Sequence, residues 1–318
     1  MAGFLFLAVL LSVFGGTVHG QSDKTIRIQI PFAPGGGTDI LGRIIAPRLA
    51  ERLGQHVVVE NRPGAAGAIA ARYTAQSAPD GLTLMIGSIS EIGINPSVSP
   101  NLGYDVWRDF AALGPLAYTP MILVAHPSVP ASTPRELIAL ARARPGQLNY
   151  GSAGAGSGAH MAAELFRYLT RTDITHVPYK GTGAAVADLA GGQVQLVFTT
   201  LPSAIGLVKG GKLKAIAMAS AQRVPALPEV PTFVETGVPE YLMDYWYGFF
   251  APAATPRDIQ VRVQAASRDV LRLPEVVASF EKSGLYAMGG TQEEFTAFVK
   301  KDMERWATVV KAAGIKVE

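Results

Sequence analysis

The feature that most constrains this chain is a repeated local pattern: a short apolar strand runs into a glycine-rich turn, and a helix leaves it. Thr25–Ile30 alternates apolar residues as a strand with one buried face does. Gly35, Gly36 and Gly37 follow, and then a helical stretch from Thr38 to about Leu53. Further on, Leu148–Tyr150 is a short strand that enters Gly151, Gly154, Gly156 and Gly158, with a helix over His160–Leu169. Strand, turn and helix in this order build a parallel sheet with helices on its faces.

The rest of the chain keeps the rhythm. Val57–Val59, Leu82–Ile86, Met121–Ala125, Leu196–Phe198, Ala215–Met218 and Tyr245–Ala251 read as strands, and Ala65–Gln76 as an alanine-rich helix. Thr133-Pro134-Arg135-Glu136 opens a helix with an N-cap and Pro at its first position. Two helices close the chain, capped at Thr255-Pro256-Arg257-Asp258 and at Thr291-Gln292-Glu293-Glu294. In the last, Phe295, Phe298, Val299, Trp306, Val309 and Val310 form one apolar stripe for the core. Pro225–Pro239 is a long irregular connection. The expected architecture is α/β in two lobes, with the chain crossing between them more than once: 21–121 with 224–318, and 122–223.

Composition narrows the function. Of 318 residues 48% are hydrophobic and 17% charged, enough for a sizeable core. The net charge is only +3 and no Lys/Arg run stands out, so nucleic-acid binding has little support. There is no cysteine, which removes disulfides, thiol nucleophiles and thiolate metal sites together. Phe4–Phe14 is an uninterrupted apolar run, shorter than the ~20 residues that span a bilayer. Small residues follow it, and Val18-His19-Gly20 offers a cleavage point before Gln21, so residues 1–20 read as a secretory leader. No Lys or Arg precedes the run, so either the true start lies elsewhere or the export signal is unusual; a buried first strand or helix is the alternative.

The two glycine loops carry the chemistry. In Pro31–Asp39 three glycines let the backbone turn sharply and approach a ligand with no Cβ in the way. The loop ends where a helix begins, which presents free N–H groups and a partial positive charge to a carboxylate or phosphate. Thr38 or Asp39 is placed to cap that helix; a plain strand–helix turn is the alternative. Tyr150–His160 holds four glycines and two serines in eleven residues, more than a turn requires. Ser152 and Ser157 add hydroxyl donors. Gly154, Gly156 and Ala159 fit G-x-G-x-x-A, but the acidic residue of a dinucleotide site is missing, and no Gly-Lys-Ser/Thr tripeptide occurs. No serine sits in G-x-S-x-G, and the five histidines lack metal-ligand spacing. His160 is expected to support the second loop. No catalytic set, metal or cofactor is read.

Ordered short motifs add a resemblance. Pro31-Phe32-x-Pro34-Gly35-Gly36-x-x-Asp39, Val59-Glu60-Asn61-Arg62-Pro63-Gly64-Ala65-x-Gly67 and Asp80-Gly81-x-Thr83-Leu84 are followed by Tyr150-Gly151-Ser152 to His160. Val177-Pro178-Tyr179-Lys180-Gly181, Gly211-Lys212-Leu213, Leu227–Thr232, Glu235-x-Gly237 and Trp246-x-Gly248 continue the series. Together they resemble the Bug family, the TctC-like receptors of tripartite tricarboxylate transporters, across essentially all of the mature chain. The resemblance implies a type II periplasmic-binding-protein fold whose two α/β lobes close on a ligand. It implies that Phe32, Gly35, Gly36, Thr38 and Asp39 on one side, and Ser152, Gly156, Ser157 and His160 on the other, grip a carboxylate. Tyr179-Lys180-Gly181 is a third wall, with lobe packing as the other role for Tyr179. Ser88 and Asn95 are further contacts or surface-loop residues. Where many relatives carry an acid after the strand at Leu196–Phe198, this chain has Thr199 and Thr200, which points to a neutral or anionic distal ligand group. The implied protein is a monomeric, periplasmic solute-binding protein, not an enzyme. It would capture a small carboxylate, need no cofactor, and pass its ligand to the transporter's membrane subunits. A receptor signalling to a membrane sensor, and an enzyme on the same fold, are the alternatives.

Overall fold

The computed structural model describes residues 24–99 and 101–315, so the expected leader lies outside the described residues. The chain begins β1 (Ile26–Ile30), α1 (Gly37–Leu53), β2 (Val57–Asn61), a 3-10 turn (Ala65–Gly67), α2 (Ala68–Ala75) and β3 (Thr83–Ser88). A π-helical turn (Ile89–Ile94), α3 (Asn95–Val98) and α4 (Val106–Asp109) lead into the long β4 (Phe110–Ala125). Next come α5 (Pro134–Ala143), β5 (Asn149–Ser152), α6 (Gly158–Thr170), β6 (Thr175–Pro178), α7 (Thr182–Ala190), β7 (Leu196–Thr200), α8 (Leu201–Lys209) and β8 (Lys214–Met218). After an irregular stretch follow β9 (Asp244–Pro252), α9 (Arg257–Val270), α10 (Pro274–Ser283), β10 (Tyr286–Ala287) and α11 (Gln292–Ala313).

The strands order as β2-β1-β3-β9-β4-β7-β5-β6, with β8 and β10 also on β4. Each end is parallel, β2-β1-β3 on one side and β7-β5-β6 on the other, as the strand–helix rhythm requires. The middle is antiparallel: β9 against β3 and β4, and β4 against β7. β4 joins the lobes. Phe110–Pro120 pairs with β9, and from Met121 onward the strand pairs with β7 and β8. The ladder with β9 shifts register around Gly114 and Pro115, where Pro lacks an N–H to give. β1 lies between β2 and β3; Ile26, Ile28 and Ile30 bury one face, while on the other Arg27 is exposed and Gln29 is covered, bonding Glu60 across the sheet at 2.9 Å.

Two details of packing differ from expectation. In the segment after 223, expected with the first lobe, Val224, Leu227 and Val230 pack with Ile122, Val197 and Met218. Phe233 and Tyr241 meet Phe166 edge to face, and the Tyr241 hydroxyl donates to the Ala162 carbonyl at 2.9 Å. The proline-rich connection therefore stays with β7 and β8 because its scattered large apolar residues bury there. At the C-terminal end, three helices pack rather than two. Thr291 caps α11 in a reciprocal box with Glu294, as Thr133 does for α5 with Glu136, whereas Thr255 makes no cap and α9 starts after Pro256. Phe295, Val299, Trp306 and Val310 of α11 are buried, Phe298 is exposed, and the Trp246 indole donates to Asp302 at 2.8 Å.

Candidate ligand-binding cleft

Both glycine loops end at helix starts that face one another between the lobes. α1 is capped by the extended backbone of Gly36 with no side-chain cap. α6 starts at Ser157, whose hydroxyl accepts the His160 N–H at 3.2 Å. The lobes meet directly at these loops. Ala33 N–H donates to the Lys180 carbonyl at 3.0 Å, and Gly158 N–H donates to the Ser90 hydroxyl at 2.8 Å. Glycine is required for this approach: a Cβ on Gly181 would stand 2.9 Å from the Ala33 nitrogen, and one on Gly158 2.6 Å from the Tyr245 ring. The space left open to the centre of a water molecule is about 20 Å³, room for about one water.

Phe32, Gly36, Gly37 and Thr38 form one side of that space, and Ala153, Ala159, Thr182 and Thr200 the other; Met121, Ser90, Tyr245 and Tyr247 form the back. This wall contains no Lys, Arg, Asp, Glu or His. Its positive potential comes from the first turns of α1 and α6, and its polarity from hydroxyls.

Of the residues singled out in the sequence, Phe32, Gly36, Thr38 and Thr200 stand at this wall. Gly35, Asp39, Ser152, Gly156, Ser157 and His160 shape the loops behind it. Asp39 clips the first loop: its carboxylate accepts the Gly35 N–H at 3.0 Å, Asn61 at 2.9 Å and Arg43 at 3.0 Å. Burial by itself would raise this carboxyl, but the bonds from Arg43, Gly35 and Asn61 outweigh it and hold it below its ordinary range. Gly35 takes φ +85°, a conformation glycine adopts without strain. In the second loop Ser152 accepts the Gly154 N–H at 3.0 Å and meets His176 Nε2 at 2.6 Å. Gly156, at φ +82°, donates its N–H to His160 Nδ1 at 3.1 Å. His160 is thus the loop support expected of it, and it stacks on His176 at 4.2 Å. Burial pushes both imidazoles down, His176 to about 4, so they are neutral near pH 7.

Four of the expected residues stand away from this wall. Ser88 is not at the wall; it caps the π-helical turn, and its hydroxyl lies 2.8 Å from Glu91 and 3.0 Å from the Tyr245 hydroxyl. Tyr179 turns away and donates to Asp188 at 2.8 Å, while its ring packs over Gly151. Thr199 points to the opposite face of β7 from Thr200 and its hydroxyl is buried without a partner. Asn95 is buried rather than on a surface loop, and donates to the Ala66 carbonyl at 3.0 Å.

Residues 41–315 match the family described as the tripartite tricarboxylate transporter family receptor. The chain belongs to that receptor family. It is 36% identical to Protein BugT of Bordetella pertussis over 93% of this chain and 91% of BugT. Among solved structures, R. palustris Rpa4515 with adipate superposes with a TM-score of 0.89 at 36% identity, covering 92% of this chain and 98% of that one. MatC from Rhodopseudomonas palustris with bound malate superposes at 0.87 with 32% identity, over 90% and 98%.

Within this receptor the polar wall residues missed by sequence reading are Ser90, Thr182, Tyr245 and Tyr247. Alternation along β9 was the available signal. Tyr245 and Tyr247 share the face towards the cleft, while Trp246 on the other face meets Asp302. Behind the wall a run of hydrogen bonds crosses between the lobes: Glu91 to Ser88, Ser88 to Tyr245 at 3.0 Å, Tyr245 to Ser90 at 2.6 Å, and Gly158 N–H into Ser90. Burial raises Glu91 to about 8, so it is mainly protonated at neutral pH.

Proposed function

We propose that this receptor captures a small carboxylate between its lobes and delivers it to the membrane subunits of a tripartite transporter, with no bond made or broken. One observation carries the reading: two helix N-termini meet at a hydroxyl-lined wall that holds no charged side chain. Such a wall receives an anionic oxygen through N–H and O–H donors, each contributing ~1.5–3 kcal/mol with a charged acceptor. The adipate and malate held by Rpa4515 and MatC support carboxylates as the class. A wall without an acid or base group favours binding over catalysis. We further propose that the protein works in the periplasm as a monomer after loss of a leader ending near Gly20, and that the lobes divide at about 121 and 242. The partner change of β4 at Met121 and the packing of Val224–Tyr241 support those limits.

Isothermal titration against di- and tricarboxylates, aromatic carboxylates and amino acids tests the reading. At least one carboxylate is expected to bind. Binding of a sugar or nucleotide and of no carboxylate would overturn it.

A further inference from the structure

The two tyrosines on the cleft face of β9 serve opposite helix starts, and only one of them has its hydroxyl engaged. Tyr245 lies against Gly158 at the start of α6, with its hydroxyl bonded to Ser88 at 3.0 Å and Ser90 at 2.6 Å. Tyr247 lies at the start of α1, where a Cβ on Gly37 would run into its hydroxyl and stand 2.6 Å from Thr200 Oγ1. Tyr247 is fully buried, and its hydroxyl has no hydrogen-bond partner. Thr200 is close by, but its hydroxyl is 3.2 Å from Ser203, and no hydrogen bond of acceptable geometry joins it to the phenol. Leaving such a group unpaired destabilises a fold, so buried hydroxyls are nearly always partnered. Burial also pushes the phenol well above the ordinary tyrosine range, which keeps its proton available for donation.

Resting on the carboxylate reading above, we propose that Tyr247 is a specificity-determining ligand contact: its O–H donates to an oxygen of the carboxylate held over the first turn of α1. Thr200, hydrogen-bonded through Ser203 towards Thr182, flanks the same oxygen. Recognition here uses neutral donors alone. It therefore selects by the placement of acceptor oxygens rather than by a counter-charge.

Tyr247→Phe removes the hydroxyl and keeps the ring. Succinate, malate and adipate are titrated calorimetrically into the wild type and the variant, and thermal unfolding is recorded for both without ligand. For each probe the wild type binds, the variant is expected to lose roughly ten- to a hundredfold in affinity. Its ligand-free melting temperature is expected to be unchanged or raised, because an unpartnered buried hydroxyl has gone. Tyr245→Phe, which removes a hydroxyl with two partners, is expected to lower the melting temperature. Unchanged affinity in Tyr247→Phe, or a clear drop in its ligand-free melting temperature, overturns the assignment. If the wild type binds some probe, that failure falls on Tyr247 alone; if it binds no carboxylate, the carboxylate reading falls and Tyr247 with it.

Discussion

Gly183, in the first turn of α7, is where the second lobe presses on the first loop. A Cβ built there would stand 2.9 Å from the Gly35 carbonyl carbon and 3.0 Å from the Gly35 Cα, with the Pro34 carbonyl oxygen nearer still. Ordinary contacts begin at 3.4 Å, so relief needs a shift of about half an ångström or more. Every atom it meets is backbone, and no rotamer change can open the gap. Gly183→Ala must therefore hold the lobes apart. Overpacking of this kind costs ~1–3 kcal/mol, which corresponds to roughly five- to 150-fold weaker binding if closure and binding are coupled. Within α7 the same change is favourable, since alanine stabilises a helical position by about 0.5–1 kcal/mol over glycine. The expected signature is a weaker Kd by calorimetry with an unchanged or higher ligand-free melting temperature. A Kd within twofold of wild type would show that the loops need not meet this closely, and the argument from interlobe glycines would fail.

Two other perturbations follow from the groups behind the wall. Folded Glu91 keeps its proton up to about 8, whereas its ordinary value is 4.5, so between those limits the folded chain binds more protons than the unfolded one. The Glu91 contribution therefore falls as pH rises through that window, by on the order of a few kcal/mol, and levels off above it. Chemical denaturation of wild type and Glu91→Gln at several pH values isolates it: the stability difference between them should move with pH in that window, and a difference independent of pH counts against a neutral buried acid. Asp39→Ala removes the acceptor for Gly35, Asn61 and Arg43. It should lower stability by ~1–3 kcal/mol and weaken carboxylate binding, because the first loop loses its clip; a variant with wild-type melting temperature and affinity would argue against that role.

Much of the scaffold was legible locally. The starts of α1 and α6 follow from strand–glycine–helix runs, and the Thr133/Glu136 and Thr291/Glu294 boxes form as their spacing requires. The same rule misled at Thr255, where Pro256 takes the cap position and leaves the hydroxyl unpartnered. The first half of β4 was not read as a strand because Gly114, Pro115 and Pro120 are breakers by composition. They are tolerated there because the ladder with β9 shifts register around Gly114 and Pro115.

The glycine loops were visible as turns before helices, yet most of their polar side chains turn inward. Asp39, Ser152, Ser157 and His160 are occupied in shaping the loops themselves. Which groups reach the ligand space depends on what lies across it, and that is a long-range fact. Ser90 meets Gly158 from 68 positions away, and Tyr245 meets Ser90 from 155.

By itself, then, the sequence determined the α/β class, the two helix starts and the absence of thiol chemistry, because strand period, glycine freedom and capping act within a few residues. Only the tertiary structure decided the cleft wall: β4 changing partners at Met121, glycines at 158 and 183 letting the lobes touch, and the Tyr247 hydroxyl left without a partner beside Gly37. Those depend on contacts between segments far apart in the chain, which no local pattern encodes.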